Sequence, residues 1–179
     1  MRNIIIVLVF SLLNFFGFAQ NTEWLVSSSK ITFKIKNAGF TVDGDISGLK
    51  AKINFDAAKS YSNSIEATVD AKTINTGNSS RNGHLRKEDY FGVDKFPIIT
   101  IAGATFAKQT DGSFKGYFKL TIKNVTKDVV IPFTFNEKDG KANFKGVFKI
   151  NRLDFGVGES SMILSNNFIV TMDVNVLKK

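Results

Sequence analysis

The chain has 179 residues, enough for one domain with a buried core, and 24 Lys and Arg against 16 Asp and Glu give a net charge of +8. With no Cys and a single His, His84, disulfide stapling, thiol chemistry and metal sites built from several histidines or a Cys/His set are excluded. The basic balance suits anionic surfaces such as lipid headgroups or phosphates, and equally suits a solvated exterior.

The first residues read as a targeting segment. Arg2 precedes a nearly unbroken apolar run from Ile4 to Phe16, and Gly17 and Ala19 then place small residues before Gln20. A signal peptide over 1–19, cleaved after Ala19, is expected, which leaves 20–179 as one domain for the periplasm or secretion. The run is short for a span of about 20 residues, so no membrane span is expected after cleavage. No Cys follows it that could carry a lipid anchor.

Apolar and polar residues then alternate along almost the whole chain, the period of half-buried strands. Ile31, Phe33 and Ile35 alternate with Thr32, Lys34 and Lys36, and Leu49, Ala51, Ile53 and Phe55 follow suit. Ile65 to Ala71 continues the pattern, Ile98 to Phe106 is a further β-rich run, and Phe114 to Ile122 sets Phe118 and Leu120 opposite Lys115 and Lys119. Val129 to Phe135, Phe144 to Ile150 and Phe168 to Val176 complete eight segments. Between them, Asn78 to Phe91 has room for a short helix with Ser79 or Ser80 as its cap. Asp111-Gly112 reads as a turn, and Asp139-Gly140 as a hairpin.

Eight antiparallel strands close into a barrel that side chains fill or that holds one small ligand. The fold class is therefore an all-β, eight-stranded antiparallel barrel with a short helical insertion near residues 79–91. A membrane barrel would turn Lys34, Lys36, Lys115, Lys119, Lys123, Lys145 and Lys149 into one narrow lumen with few acids to pair them. The apolar face therefore points inward. Phe114 to Leu120 is echoed by Phe144 to Ile150, with Gly116 and Gly146 in the inward register. Those glycines either create empty volume or permit strand coiling.

Particular residues go further than the pattern: Trp24, Lys30 to Lys36, Gly44 to Phe55, His84-Leu85, Asp89-Tyr90-Phe91 and Phe96-Pro97. With Leu120 to Thr126 and Arg152 to Gly156, in this order and spacing, the chain resembles the YceI-like proteins. It departs from them at Tyr90, where Phe is common, at Asn124, where Gly is common, and in lacking an acidic residue at Ser165 to Asn167. The resemblance implies a secreted lipocalin-like barrel with a long apolar tunnel for a polyisoprenoid lipid, and neither redox nor metal chemistry.

The candidate pocket residues are Phe33 and Ile35, Val69, Phe118 and Leu120, Phe133, Phe148 and Ile150, and Val170 and Met172. Each has ordinary core packing as its alternative. Gly116 and Gly146 would make the space, and residues 79–97 would form a cap. His84 and Arg152 are candidates for the rim or the headgroup. Arg152 and Asp154, two apart on a strand, would point to the same side and form an ion pair. His84, near Glu88 and Asp89, could act as a general base, although no nucleophile arrangement accompanies it. The aromatics share the buried register instead of interleaving with the basic face, so no nucleic-acid partner is expected.

The inward apolar registers and paired glycines, taken with the resemblance, point to a lipid-binding protein, not an enzyme, that needs no cofactor; an isoprenoid or fatty-acyl-type ligand is what the resemblance implies. A ligand burying about thirty heavy atoms gains roughly 9 kcal/mol, enough for sub-micromolar binding. The alternatives are a filled structural barrel without ligand and an enzyme acting on a lipid through His84; homodimerisation stays open.

Overall fold

A computed structural model describes residues 22–59 and 61–179; the expected signal peptide lies outside the described residues. The elements are β1 (Glu23–Asn37), β2 (Phe40–Ile46), β3 (Lys50–Asn54), β4 (Ser64–Asp70), α1 (Ser79–Arg86), β5 (Ile98–Lys108), β6 (Phe114–Ile122), β7 (Val125–Lys138), β8 (Lys141–Asn151) and β9 (Leu164–Lys178). From β3 to β9 each strand pairs antiparallel with the next, and β1 pairs with β9 to close the barrel.

Among the described residues there are nine strand segments, one more than the alternation shows, yet the barrel has eight strands. β2 and β3 are halves of one strand: Trp24 pairs with Ile53 and Ile31 with Ile46, so both halves keep one register on β1. The interruption falls at Gly48, whose φ of +76° is open to glycine at little steric cost.

The alternation expected from the sequence sets the wall. In β6, Phe114, Gly116, Phe118, Leu120 and Ile122 are buried while Lys115, Tyr117 and Lys119 are exposed. The Asp139-Gly140 hairpin is present, with both residues at positive φ and Lys138 paired to Lys141, the geometry of a two-residue turn matched to strand twist.

The two ends of the barrel are built differently. At the end that holds the start of β1 and the ends of β3, β5, β7 and β9, phenylalanines fill the interior. Phe55, 1% exposed, lies among the rings of Phe106, Phe114, Phe133, Phe135 and Phe144, with centroids 4.9 to 5.7 Å away and edge-on geometry. Trp24 Nε1 donates to the Phe55 carbonyl at 2.8 Å, satisfying a buried polar group.

The other end is covered by α1 and the loop that follows it. The N-cap of α1 is Asn78, whose side chain accepts from Arg81 N, and neither Ser79 nor Ser80 takes that role. The helix stops at Arg86, short of the 91 allowed by the sequence, because Lys87 is extended. Buried Asn82 accepts from the Thr76 N–H and hydroxyl and donates to Asn75, and Arg86 donates to the Ile74 carbonyl. On the far side Lys123 Nζ donates to the carbonyls of Glu88 and Gly156, and Gly158 N–H donates to Asp89. The cap is stitched to the barrel on both flanks.

Candidate ligand cavity

Between the phenylalanine plug and the cap lies a cavity of about 330 Å³. Its floor is made by Phe118, Phe133 and Phe144, which also belong to the plug. Its walls come from nearly every strand, with Ile35, Val42, Val69, Ile99 and Val170 among the aliphatic side chains facing it. Leu85, Tyr90 and Phe91 close it from the cap side.

All ten apolar residues expected to face a pocket line this cavity: Phe33, Ile35, Val69, Phe118, Leu120, Phe133, Phe148, Ile150, Val170 and Met172. They fall into two groups. Phe118, Leu120, Phe133 and Ile150 are buried by other side chains. Phe33, Ile35, Val69, Phe148, Val170 and Met172 point inward yet remain half-buried, because protein does not cover them.

Gly116 and Gly146 do not line the cavity, which corrects the expectation that they open it. A Cβ on Gly116 would run into the ring of Phe118. On Gly146 it would lie 2.7 Å from Met172 Cε and 2.8 Å from the Pro132 carbonyl. An inward glycine here is a seat for a neighbour. The same device recurs where Phe33 lies across its cross-strand partner Gly44 and Phe118 across Gly103.

Arg152 lines the cavity but not in the expected form. It opens a 3-10 turn over Arg152–Phe155, started by the Asn151 side chain accepting from Leu153 N and ended by Gly156 at φ +63°. The turn removes the two-residue strand geometry that would have paired Arg152 with Asp154. Asp154 accepts from Asn151 Nδ2 at 3.1 Å instead. The guanidinium, in a residue 2% exposed, donates to the Val157 carbonyl at 2.9 Å and the Ser165 carbonyl at 3.0 Å, with longer contacts to the Leu164 carbonyl and Asn166 Oδ1.

His84 is exposed on α1 and also reaches the cavity; its ring lies 4.7 Å from that of Tyr90. Sequence reasoning missed Thr76 and Arg81, which join it at the polar rim. Arg81 donates from Nε to the Thr76 hydroxyl and from Nη2 to the Thr76 carbonyl, both at 2.8 Å. Nothing periodic marks either residue, since both lie in a polar stretch between strands. Among the described residues no cluster of His, Cys, Asp and Glu is suited to a metal ion.

Comparison with known proteins agrees with this architecture. A "UPF0312 protein" of Pseudomonas fluorescens is 32% identical over 138 residues, covering 70% of each chain. A YceI protein of Campylobacter jejuni superposes with a TM-score of 0.69 at 30% identity, over 77% of this chain and 85% of that one. A polyisoprenoid binding domain from Saccharophagus degradans, implicated in plant cell wall breakdown, shares the fold at a TM-score of 0.68 and 12% identity, over 89% of this chain and 99% of that one. The YceI-like domain itself matches residues 24–176, from the buried tryptophan of β1 to the valine of β9 that packs in the same plug, and the chain belongs to that family.

Proposed function

We propose that the protein binds one long apolar chain in the cavity, tail against the phenylalanine plug and head beneath the cap, and so carries or sequesters a lipid outside the cytoplasm. The observation that carries this reading is the ring of inward apolar side chains left half-buried around about 330 Å³ of space. Apolar surface held open in this way favours an occupant that removes it from water. A structural neighbour that is a polyisoprenoid binding domain supports an isoprenoid or similar fatty-acyl chain as that occupant. His84, resting on Tyr90, serves the cap in this reading and not a reaction. Export through a signal peptide over 1–19 belongs to the same proposal.

The test is mass spectrometry of an organic extract of the natively purified protein, repeated on Val69→Trp, whose larger ring projects into the cavity. A long-chain lipid is expected from the wild type and little or none from the variant. If folded wild-type protein yields no lipid and takes up neither prenyl nor fatty-acyl chains when they are added, the reading fails.

A further inference from the structure

The arginines of this chain behave unlike its lysines. Eight lysines form ion pairs with Asp or Glu, and among the described residues neither Arg81, Arg86 nor Arg152 does. Every Asp and Glu of the sequence is among the described residues, so no carboxylate partner is hidden elsewhere. These three described arginines sit at the capped end, and two of them, Arg81 and Arg152, line the cavity.

Their hydrogen bonds go to neutral groups. Arg152 is almost fully buried against the carbonyls of Val157, Ser165 and Leu164 and the Asn166 amide. Arg81, half-buried, uses Nε and Nη2 on Thr76, and Nη1 enters neither bond. Neutral acceptors satisfy the N–H groups but supply no countercharge; at the buried Arg152 the field is weakly screened, while Arg81 at the rim is partly screened by solvent. The carboxylates closest in sequence are engaged elsewhere: Asp154 with Asn151, and Glu88 with Lys95. Arg152 Nη1 and the Tyr90 ring both lie within about 3 Å of the point where a Gly158 Cβ would stand, and the His84 ring lies tilted against that of Tyr90. Arg152, Tyr90 and His84 thus form one continuous wall at the top of an otherwise apolar cavity.

We infer that the cavity selects amphiphiles whose head is an oxyanion, a carboxylate or a phosphate monoester, drawn to the uncompensated guanidinium charge of Arg152 and Arg81. This rests on the lipid-binding reading above and adds the chemistry of the head. Guanidinium groups suit such heads because charge-assisted N–H bonds to oxyanions are short and strong. The Arg152 bonds to backbone carbonyls hold its group in place in advance, so little side-chain freedom is lost on binding.

The experiment uses delipidated full-length protein and matched pairs of equal chain length: farnesol against farnesyl monophosphate, and a fatty alcohol against its fatty acid. Affinity is measured by displacement of a fluorescent fatty-acyl probe at low and high salt. The anionic member of at least one pair is expected to bind tighter by about tenfold or more, with the margin shrinking as salt rises. Comparison of the two pairs shows whether carboxylate or phosphate fits better. Arg81→Gln, at the half-exposed rim, should lower anion affinity more than alcohol affinity and so shrink that margin, and Arg81→Lys should restore part of it. Arg152→Gln is informative where it folds; Arg81→Gln carries the test where it does not. Equal binding of alcohols and anions by the wild type overturns the anionic head and leaves the lipid-binding reading standing. Binding of none of the four overturns both.

Discussion

Phe55→Ala is the sharpest test of the plug. The residue is 1% exposed, and five phenylalanine rings surround it at centroid distances of 4.9 to 5.7 Å. Truncating a buried Phe costs about 3–5 kcal/mol, from lost transfer energy and the cavity left behind. Rings held from several sides by different strands collapse poorly into a hole, so a loss of about 4–5 kcal/mol is expected. At about 2–4 °C per kcal/mol for a domain of this size, Tm should fall by roughly 8–20 °C. The Trp24 N–H bond goes to the backbone carbonyl of Phe55 and survives the substitution, so the change isolates the ring. Urea and thermal unfolding of delipidated protein, followed by far-UV circular dichroism, give the loss directly. A second readout comes from the floor: Phe118, Phe133 and Phe144 shape the bottom of the cavity and lean on this cluster. The preferred ligand should therefore lengthen in the variant, read from a fatty-acid chain-length series. A stability loss below about 1 kcal/mol would refute the packing argument. A large loss with an unchanged length preference would refute the idea that the plug sets the depth.

Three further outcomes follow from particular contacts. Gly146→Ala pushes a methyl against the Pro132 carbonyl, which cannot rotate away, and should cost about 1–3 kcal/mol in urea titration while ligand capacity stays unchanged. Asn82→Ala removes the buried amide that fastens α1 to Thr76 and Asn75, and should speed ligand dissociation in stopped-flow displacement; an unaltered rate would mean that the cap does not gate the cavity. The Lys145 ammonium, then the Asn143 amide, hold the Asp173 carboxyl below its ordinary value. The folded value being depressed, this stabilisation is present above the ordinary carboxylate range near about 4 and is lost as pH falls through the folded value. Stability of Asp173→Asn should thus depend less on pH on the acid side, and an identical acid limb in wild type and variant would contradict the assignment.

Much of the barrel was legible because period-two alternation is enforced wherever one face is buried. β2 alternates too, with Val42 and Ile46 inward and Thr41, Asp43 and Asp45 outward, but it is short and its inward register is interrupted by Gly44. It becomes a strand because a two-residue turn at Ala38 and Gly39, both at positive φ, folds the chain back onto the edge of β1. Ala38 is a poor advertisement for such a turn, since a Cβ disfavours that conformation. The ten apolar wall residues are readable from register; of the polar rim, the sequence names His84 and Arg152 but not Thr76 and Arg81. Arg81 and Arg152 are placed by backbone carbonyls, and no side-chain pattern encodes where those will be. The glycines were misread for a related reason: an inward Gly looks like a vacancy in one strand, and the ring that fills it comes from a neighbouring position. The proximity of Phe33 to Gly44 in a paired register was the available signal.

Why one end is solid and the other hollow can be followed strand by strand. Moving from plug to cap, inward residues on β5 change from Phe106 to Ile101 and Ile99, and on β6 from Phe114 and Phe118 to Leu120 and Ile122. On β7 the change is from Phe135 and Phe133 to Ile131 and Val129, and on β8 from Phe144 and Phe148 to Ile150. An aromatic ring reaches far enough toward the axis of an eight-stranded barrel to meet its counterparts, and a branched aliphatic chain stops short. In the plug each ring finds several others; on the strands toward the cap the rings of Phe33 and Phe168 stand 6.5 Å apart. Along β5 to β8 the cavity therefore follows side-chain length, while β1 and β9 run the other way, with Val26 and Val176 at the plug and Phe33 and Phe168 at the cavity. That arrangement lets a protein without disulfides keep an open apolar space, because the aromatic half supplies packing that the aliphatic half forgoes.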